Sequence, residues 1–175
     1  QANFLKDKYN LVHISTGDVF RKNIKNQTEL GLKAEAYTQN GELVPDDVTV
    51  LMLEDEIKQN LPCKGFIFDG FPRTLYQADE MNKILFKYKM KLSAIVALDV
   101  DDDLLTDRLL KRGLISGRSD DQSREKILTR LNEYRNKTEP LIEYYSKINR
   151  FHSVSGVGEI HEISLRLLDL IESVK

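Results

Sequence analysis

The sequence predicts an α/β fold built on a doubly wound, largely parallel sheet. Two apolar runs, Phe66 to Phe68 and Ser93 to Leu98, are continuous rather than alternating, as strands covered on both faces are. Longer stretches between and around them carry apolar residues at helical spacing. Strands that alternate with helices of these lengths favour parallel pairing through helical crossovers.

In chain order, Leu11 to Ile14 is a first, weaker strand candidate. Glu29 to Asn40 reads as a helix stopped by Gly41. Asp46 to Asn60 follows Pro45, carries Val50, Leu53 and Ile57 on one face, and meets Pro62 just beyond. After the Phe66–Phe68 strand comes a helix over Thr74 to Tyr88. The Ser93–Leu98 strand precedes another over Asp101 to Arg112. Asp121 to about Lys147 reads as one long helix kinked before Pro140. Phe151 to Val154 is a fourth strand candidate, and Gly158 to Val174 closes with Ile160, Ile163, Leu167 and Ile171 in helical register.

Composition narrows the function classes. The 175 residues are 31% charged and 41% hydrophobic, which suits one globular domain and excludes disorder and fibrous repeats. Twenty-six basic against 28 acidic side chains give a net charge of -2, which speaks against generic nucleic-acid binding. No apolar run approaches the ~20 residues of a membrane span, and no signal peptide is visible. The single Cys63 leaves no disulfide and points to a reducing, cytoplasmic setting.

In a doubly wound sheet, ligands gather at the carboxyl ends of strands. The segments there are Ser15-Thr16-Gly17-Asp18, Asp69-Gly70-Phe71-Pro72-Arg73, Asp99-Val100-Asp101 and Ser155-Gly156-Val157-Gly158. Asp69 ends an apolar strand as a Walker-B-like acid does, where it would hold Mg²⁺ beside nucleotide phosphates; a helix cap is the plainer reading. Asp18 offers a second carboxylate with the same alternative. Arg73 follows a tight turn over the strand edge, suited to gripping a phosphate. Arg108 and Arg112 share one helix face, Arg118 follows in the loop, and Arg130 lies on the next helix. Their convergence makes sense around a polyanion; the competing reading is a solvated face paired with Asp107, Asp120, Asp121 and Glu133. Cys63 has no histidine base placed beside it, and His13, His152 and His161 lack metal-ligand spacing.

Ser15-Thr16-Gly17-Asp18 with Arg21, Gly41-Glu42-Leu43-Val44-Pro45-Asp46, Asp69-Gly70-Phe71-Pro72-Arg73-Thr74 with Gln77-Ala78, Arg108 to Arg112, Ser116-Gly117-Arg118-Ser119-Asp120-Asp121 and Arg130-Leu-Asn-Glu-Tyr134 together resemble the adenylate kinases, in order and spacing. The resemblance covers essentially the whole chain. It implies a P-loop NTPase-like fold with five strands, a helical AMP-binding insert over residues 16–58 and a short lid over residues 113–120. It also implies a monomer that moves a phosphoryl group reversibly from Mg-ATP to AMP, giving two ADP. Thr16, Arg21, Leu43, Val44, Gly70, Arg73 and Gln77 would bind AMP, with Gln77 reading adenine and Arg21 and Arg73 holding the phosphate. Arg73, Arg108, Arg118 and Arg130 would be catalytic, Arg118 and Arg130 also touching AMP. Arg108, Arg112 and Gly156 would serve ATP, and Asp69 and Asp18 would orient Mg²⁺ through water.

The sequence contains no G-x-x-x-x-G-K-[ST] loop and opens at Gln1-Ala2-Asn3, without Met. The resemblance implies a further central strand and that loop, roughly 15 residues, ahead of Gln1, so four of five strands are expected here. Two alternatives stay open: a UMP or CMP kinase, and an inactive nucleotide-binding module.

Overall fold

The computed structural model describes residues 1–174. Helix α1 (Ala2–Tyr9) leads into strand β1 (Val12–Ser15), followed by helices α2 (Thr16–Lys25), α3 (Glu29–Asn40) and α4 (Asp46–Gln59). Strand β2 (Phe66–Asp69), helix α5 (Leu75–Lys87), strand β3 (Ile95–Asp99) and helix α6 (Asp102–Ser116) come next. Helices α7 (Arg124–Glu133) and α8 (Pro140–Ser146), strand β4 (Phe151–Ser155) and helix α9 (Ile160–Ser173) complete the chain.

All four described strands pair in parallel, as two couples. β1 runs beside β2 with Val12 opposite Phe66 and Ser15 opposite Asp69. β3 runs beside β4 with Ile95 opposite Phe151 and Asp99 opposite Ser155. Both couples line one cleft of about 2170 Å³. β2 and β3 are half-buried, where their apolar runs suggested full cover.

Alternate side chains on each strand enter different cores, as the two-residue period requires. Phe66 and Phe68 join Ile14, Leu53, Ile57, Met81 and Ile84 beneath α4 and α5. Ile67, Val96 and Val154 turn the other way, onto Leu5 of α1 and Ile163 and Leu167 of α9. Ile95 and Phe151 pack with Ala78, Leu141 and Tyr145. Helices therefore cover both faces, and the α1–α9 layer ties the two strand couples together. α2, α3 and α4 close around a separate cluster of Phe20, Ala34, Val44 and Met52.

Two helix boundaries differ from the sequence reading. α6 runs through Gly113 to Ser116 and stops at Gly117, whose φ of +67° is left-handed. Gly113 continues the helix because its missing side chain lets α6 close onto the Asp121 backbone; a Cβ there would sit 2.5 Å from the Asp121 carbonyl oxygen. The expected lid loop thus begins as helix. The long helix read over 121–147 is divided into a 3-10 turn at Ser119–Asp121, α7, a π turn at Tyr134–Thr138, and α8 starting on Pro140. Ser123 caps α7 by accepting the Lys126 N–H, which separates it from the turn before it. Among the described residues, no helix is long and apolar enough to cross a membrane.

Candidate active site

The β2 end sets the first arginine. Gly70 takes a φ of +74°, and its carbonyl accepts the Arg73 Nε–H at 2.7 Å. A Cβ on Gly70 would collide with the Arg73 guanidinium, so this close approach requires glycine. Thr74 caps α5 by accepting the Gln77 N–H, and Gln77 Oε1 accepts the Arg73 N–H at 2.7 Å. Among the described residues no carboxylate pairs directly with Arg73. Burial, then the nearby charge of Arg130, lowers its guanidinium below the usual arginine range. It is a half-buried cation held by neutral groups.

The β1 end sets the second. Ser15 caps α2 by accepting the Asp18 N–H. Thr16, buried, donates its hydroxyl to the Gly70 carbonyl at 3.2 Å and so ties the two strand ends together. Asp18 Oδ1 accepts Arg21 Nη2 at 2.5 Å and lies 3.5 Å from Arg118 Nη2. Burial opposes ionisation of Asp18, but the Arg21 hydrogen bond and the Arg21 and Arg118 charges hold its carboxyl below the usual range. Asp69, level with Ser15 across the ladder, is 56% exposed and lies 3.6 Å from His13 Nε2.

The lid side gathers the rest. Arg112 makes a two-pronged bond to Asp121, Nε to Oδ2 at 2.5 Å and Nη2 to Oδ1 at 3.1 Å. Arg130 reaches the same Asp121 at 2.7 Å and also pairs with Asp120. Asp121 is fully buried, so the 3-10 turn acts as a clip that orients two arginines. Arg118 is lowered by burial and then by the charges of Arg21 and Arg112. Arg108 points elsewhere: Nη1 donates to the Gly156 carbonyl at 2.6 Å and Nη2 to that of Gly158 at 3.4 Å. Arg108 and Gly156 also line an adjoining pocket of about 450 Å³ with Val100 and Ile160.

The structure thus brings Arg21, Arg73, Arg108, Arg112, Arg118 and Arg130 to one cleft, with Thr16, Leu43, Val44, Gly70, Gln77, Asp18 and Asp69 on its walls. Convergence and pairing with Asp120 and Asp121 hold at once, so the two readings of the arginines were not exclusive. Asp107 and Glu133 do not pair with them among the described residues. Gln77 is engaged at both ends: besides its bond to Arg73, Nε2 donates to Asp46 Oδ1 at 2.7 Å.

Sequence reasoning missed Asp46 and Glu133 as site-organising groups. Asp46 also accepts the Thr74 hydroxyl, at 2.8 Å, and so ties the start of α4 to the arginine turn. Its only local signal was that of an acid at a helix start. Glu133 accepts the Leu43 N–H at 3.3 Å across 90 residues of sequence, a contact with no local signal.

The adenylate kinase family model matches residues 1–150. An adenylate kinase of Flavobacterium psychrophilum is 52% identical over 174 residues, spanning 99% of this chain and 92% of the relative. That of Flavobacterium johnsoniae gives the same identity and coverage. An adenylate kinase of Porphyromonas gingivalis is 43% identical over 175 residues, covering this whole chain and 90% of its own. The chain belongs to the adenylate kinase family.

Proposed function

We propose that the cleft carries out reversible phosphoryl transfer from ATP to AMP, giving two ADP. A phosphate oxygen of AMP attacks the γ-phosphorus of ATP. The bond from that phosphorus to the β–γ bridging oxygen breaks, and the electron pair leaves on the departing ADP. Both products are ADP and no proton need be gained or lost, so the protein supplies positioning and charge rather than a nucleophile.

The single observation that carries this reading is that Arg21, Arg73, Arg108, Arg112, Arg118 and Arg130, from five separate segments, line one cleft, with Arg73 and Arg108 lacking a paired carboxylate among the described residues. Arg21 and Arg73 would grip the AMP phosphate. Leu43 and Val44 would border the base, with Thr16 and Gly70 beneath it. Gln77 reads adenine in this proposal by exchanging one of its two present partners for the base edge. Arg118 and Arg130 would surround the phosphoryl group in transit, and Arg112 would face the ATP phosphates. Arg108, seated on the Gly156 loop, would serve ATP and reach the transferring group on closure. Residues 16–58 would act as the AMP-side insert and residues 113–120 as the lid. Their closure would exclude water that otherwise hydrolyses ATP.

Mg²⁺ fits the residues present. Asp69 presents an exposed carboxylate at a strand end, with Asp18 at the neighbouring one. Among the described residues no group of three or more acidic, histidine or cysteine side chains could cage an ion. Binding through water with phosphate oxygens as the remaining ligands is what one or two carboxylates can offer. Bound there, the ion would neutralise charge on the β- and γ-phosphates. The free, half-buried Cys63 suits a reducing compartment, and the proposal is a monomer acting in the cytoplasm.

ADP formation measured with ATP and each of AMP, CMP and UMP tests the reading. AMP is expected to turn over fastest; faster use of CMP or UMP would overturn the choice of acceptor.

A further inference from the structure

The loop between α3 and α4 rests on α7 at more than one point. Gly41, at φ +78°, lies so near that helix that a Cβ would sit 2.8 Å from Arg130 Cγ and 2.9 Å from the Lys126 carbonyl oxygen. Two residues on, the Leu43 N–H donates to Glu133 Oε2 at 3.3 Å. Lys137 Nζ donates to the same oxygen at 2.7 Å, one helical turn further along, and fixes the carboxylate where the amide finds it. Glu133 is only 20% exposed. The neighbouring loop amides are satisfied within the insert, Gly41 by the Thr38 carbonyl and Glu42 by that of Tyr37. The Leu43 amide alone among these three reaches outside it.

We propose that Glu133 is a positioning residue for the acceptor nucleotide: it docks the 41–45 loop on the helix that carries Arg130. The inference rests on the reading that Leu43 and Val44 border AMP. Arg130 and Glu133 stand three apart on α7 and face the same side. One helix then fixes both an arginine for the phosphoryl group and the wall for the nucleoside, so base and phosphate are held in register. A charged acceptor on a half-buried amide is among the stronger hydrogen bonds, and its loss leaves the amide without a protein partner. The ATP side has no part in this contact, because Arg108 and Gly156 are held by other elements.

The test pairs E133A with E133Q, whose side-chain oxygen can still accept the amide. In E133A the KM for AMP is expected to rise about tenfold, with the KM for ATP and kcat within about twofold. Leu43 amide hydrogen exchange is expected to accelerate about tenfold in the same variant, and E133Q to restore both properties most of the way. Unchanged Leu43 exchange in E133A would overturn the docking contact. Faster exchange with an unmoved KM for AMP would leave the dock but overturn its positioning role, and with it the placing of this loop against AMP. Equal rises in both KM values would overturn the proposal as well.

Discussion

Replacing Arg73 with methionine separates the cost of this side chain to folding from its value to chemistry. In the folded state its guanidinium is desolvated and repelled by Arg130, and it donates to the Gly70 carbonyl. A cation whose folded pKa lies below its unfolded value costs stability wherever it is charged, so neutral pH is the unfavourable side for Arg73. Methionine removes that cost and keeps most of the volume. It also removes one hydrogen bond, but the Gly70 carbonyl keeps the Thr16 hydroxyl at 3.2 Å and is not orphaned. The opposing contributions should leave unfolding free energy within about 1 kcal/mol of the parent. Against phosphate the same side chain offers two charge-assisted bonds of about 1.5–3 kcal/mol each. Their loss corresponds to a fall of about 10²–10⁴ in kcat/KM for AMP at saturating ATP. Steady-state ADP formation and urea unfolding, run on the same preparations, give both numbers. A variant destabilised by more than about 2 kcal/mol whose AMP kinetics stay within threefold would refute the reasoning, because Arg73 would then be a structural cation.

Asp121→Asn should be strongly destabilising, by about 3 kcal/mol, because it leaves Arg112 and Arg130 sharing a buried neutral amide; the low end of the range applies since Arg112 is partly solvated. Thermal unfolding should fall by about 6–12 °C, and a fall under about 2 °C would contradict the clip. Tyr9 donates to Glu172 at 2.7 Å, and that bond, then burial, then the Glu172 charge push its phenol up to about 12. Because the folded pKa is raised, this stabilisation is fully present below about pH 10 and is lost as pH rises through about 12. Tyr9→Phe should therefore cost about 0.5–1.5 kcal/mol at pH 7 to 9, and the gap to the parent should shrink above about pH 10; a gap that widens there has the wrong sign. Gly31→Ala should cost about 1–3 kcal/mol in denaturant unfolding, because a Cβ at that point overlaps the Asn23 carbonyl where α3 crosses α2. A neutral result would mean that the helices separate freely.

Much of the fold was legible because its signals are local. α3 shows Gly41 at its stop, and that signal is used: Gly41 turns left-handed, while the structure adds the Thr28 hydroxyl accepting the Gly31 N–H at the other end. Phe66–Phe68 and the SAIVAL run announced β2 and β3 by continuous apolarity, and β1 and β4 fall within a residue of their weaker signals. α2 lies inside the insert that the resemblance implies to be helical, but its own bounds were not read: Phe20 enters the small insert cluster while Val19 packs on both that cluster and the sheet-side core. The division between α6 and α7 was hidden for a different reason. It depends on how closely Gly113 lies on Asp121, which periodicity does not record. At the site, residue types and strand-end positions identified the arginines, and the motif resemblance chose between a polyanion cluster and a solvated face. Of what organises them, Asp120 and Asp121 were named as partners, whereas the roles of Asp46 and of the Glu133–Leu43 contact were out of reach. Asp46 meets Gln77 across 31 positions and Glu133 meets Leu43 across 90, and neither spacing repeats anything in the chain.

The most direct test of the arginine cleft is a crystal structure of the enzyme with AMP bound. The AMP phosphate is expected within hydrogen-bonding distance of both Arg21 and Arg73, with the base beside Gln77 and Val44 and Arg21 drawn off Asp18. An AMP phosphate seated on Arg108 and Arg112, or anywhere outside the cleft, would contradict it.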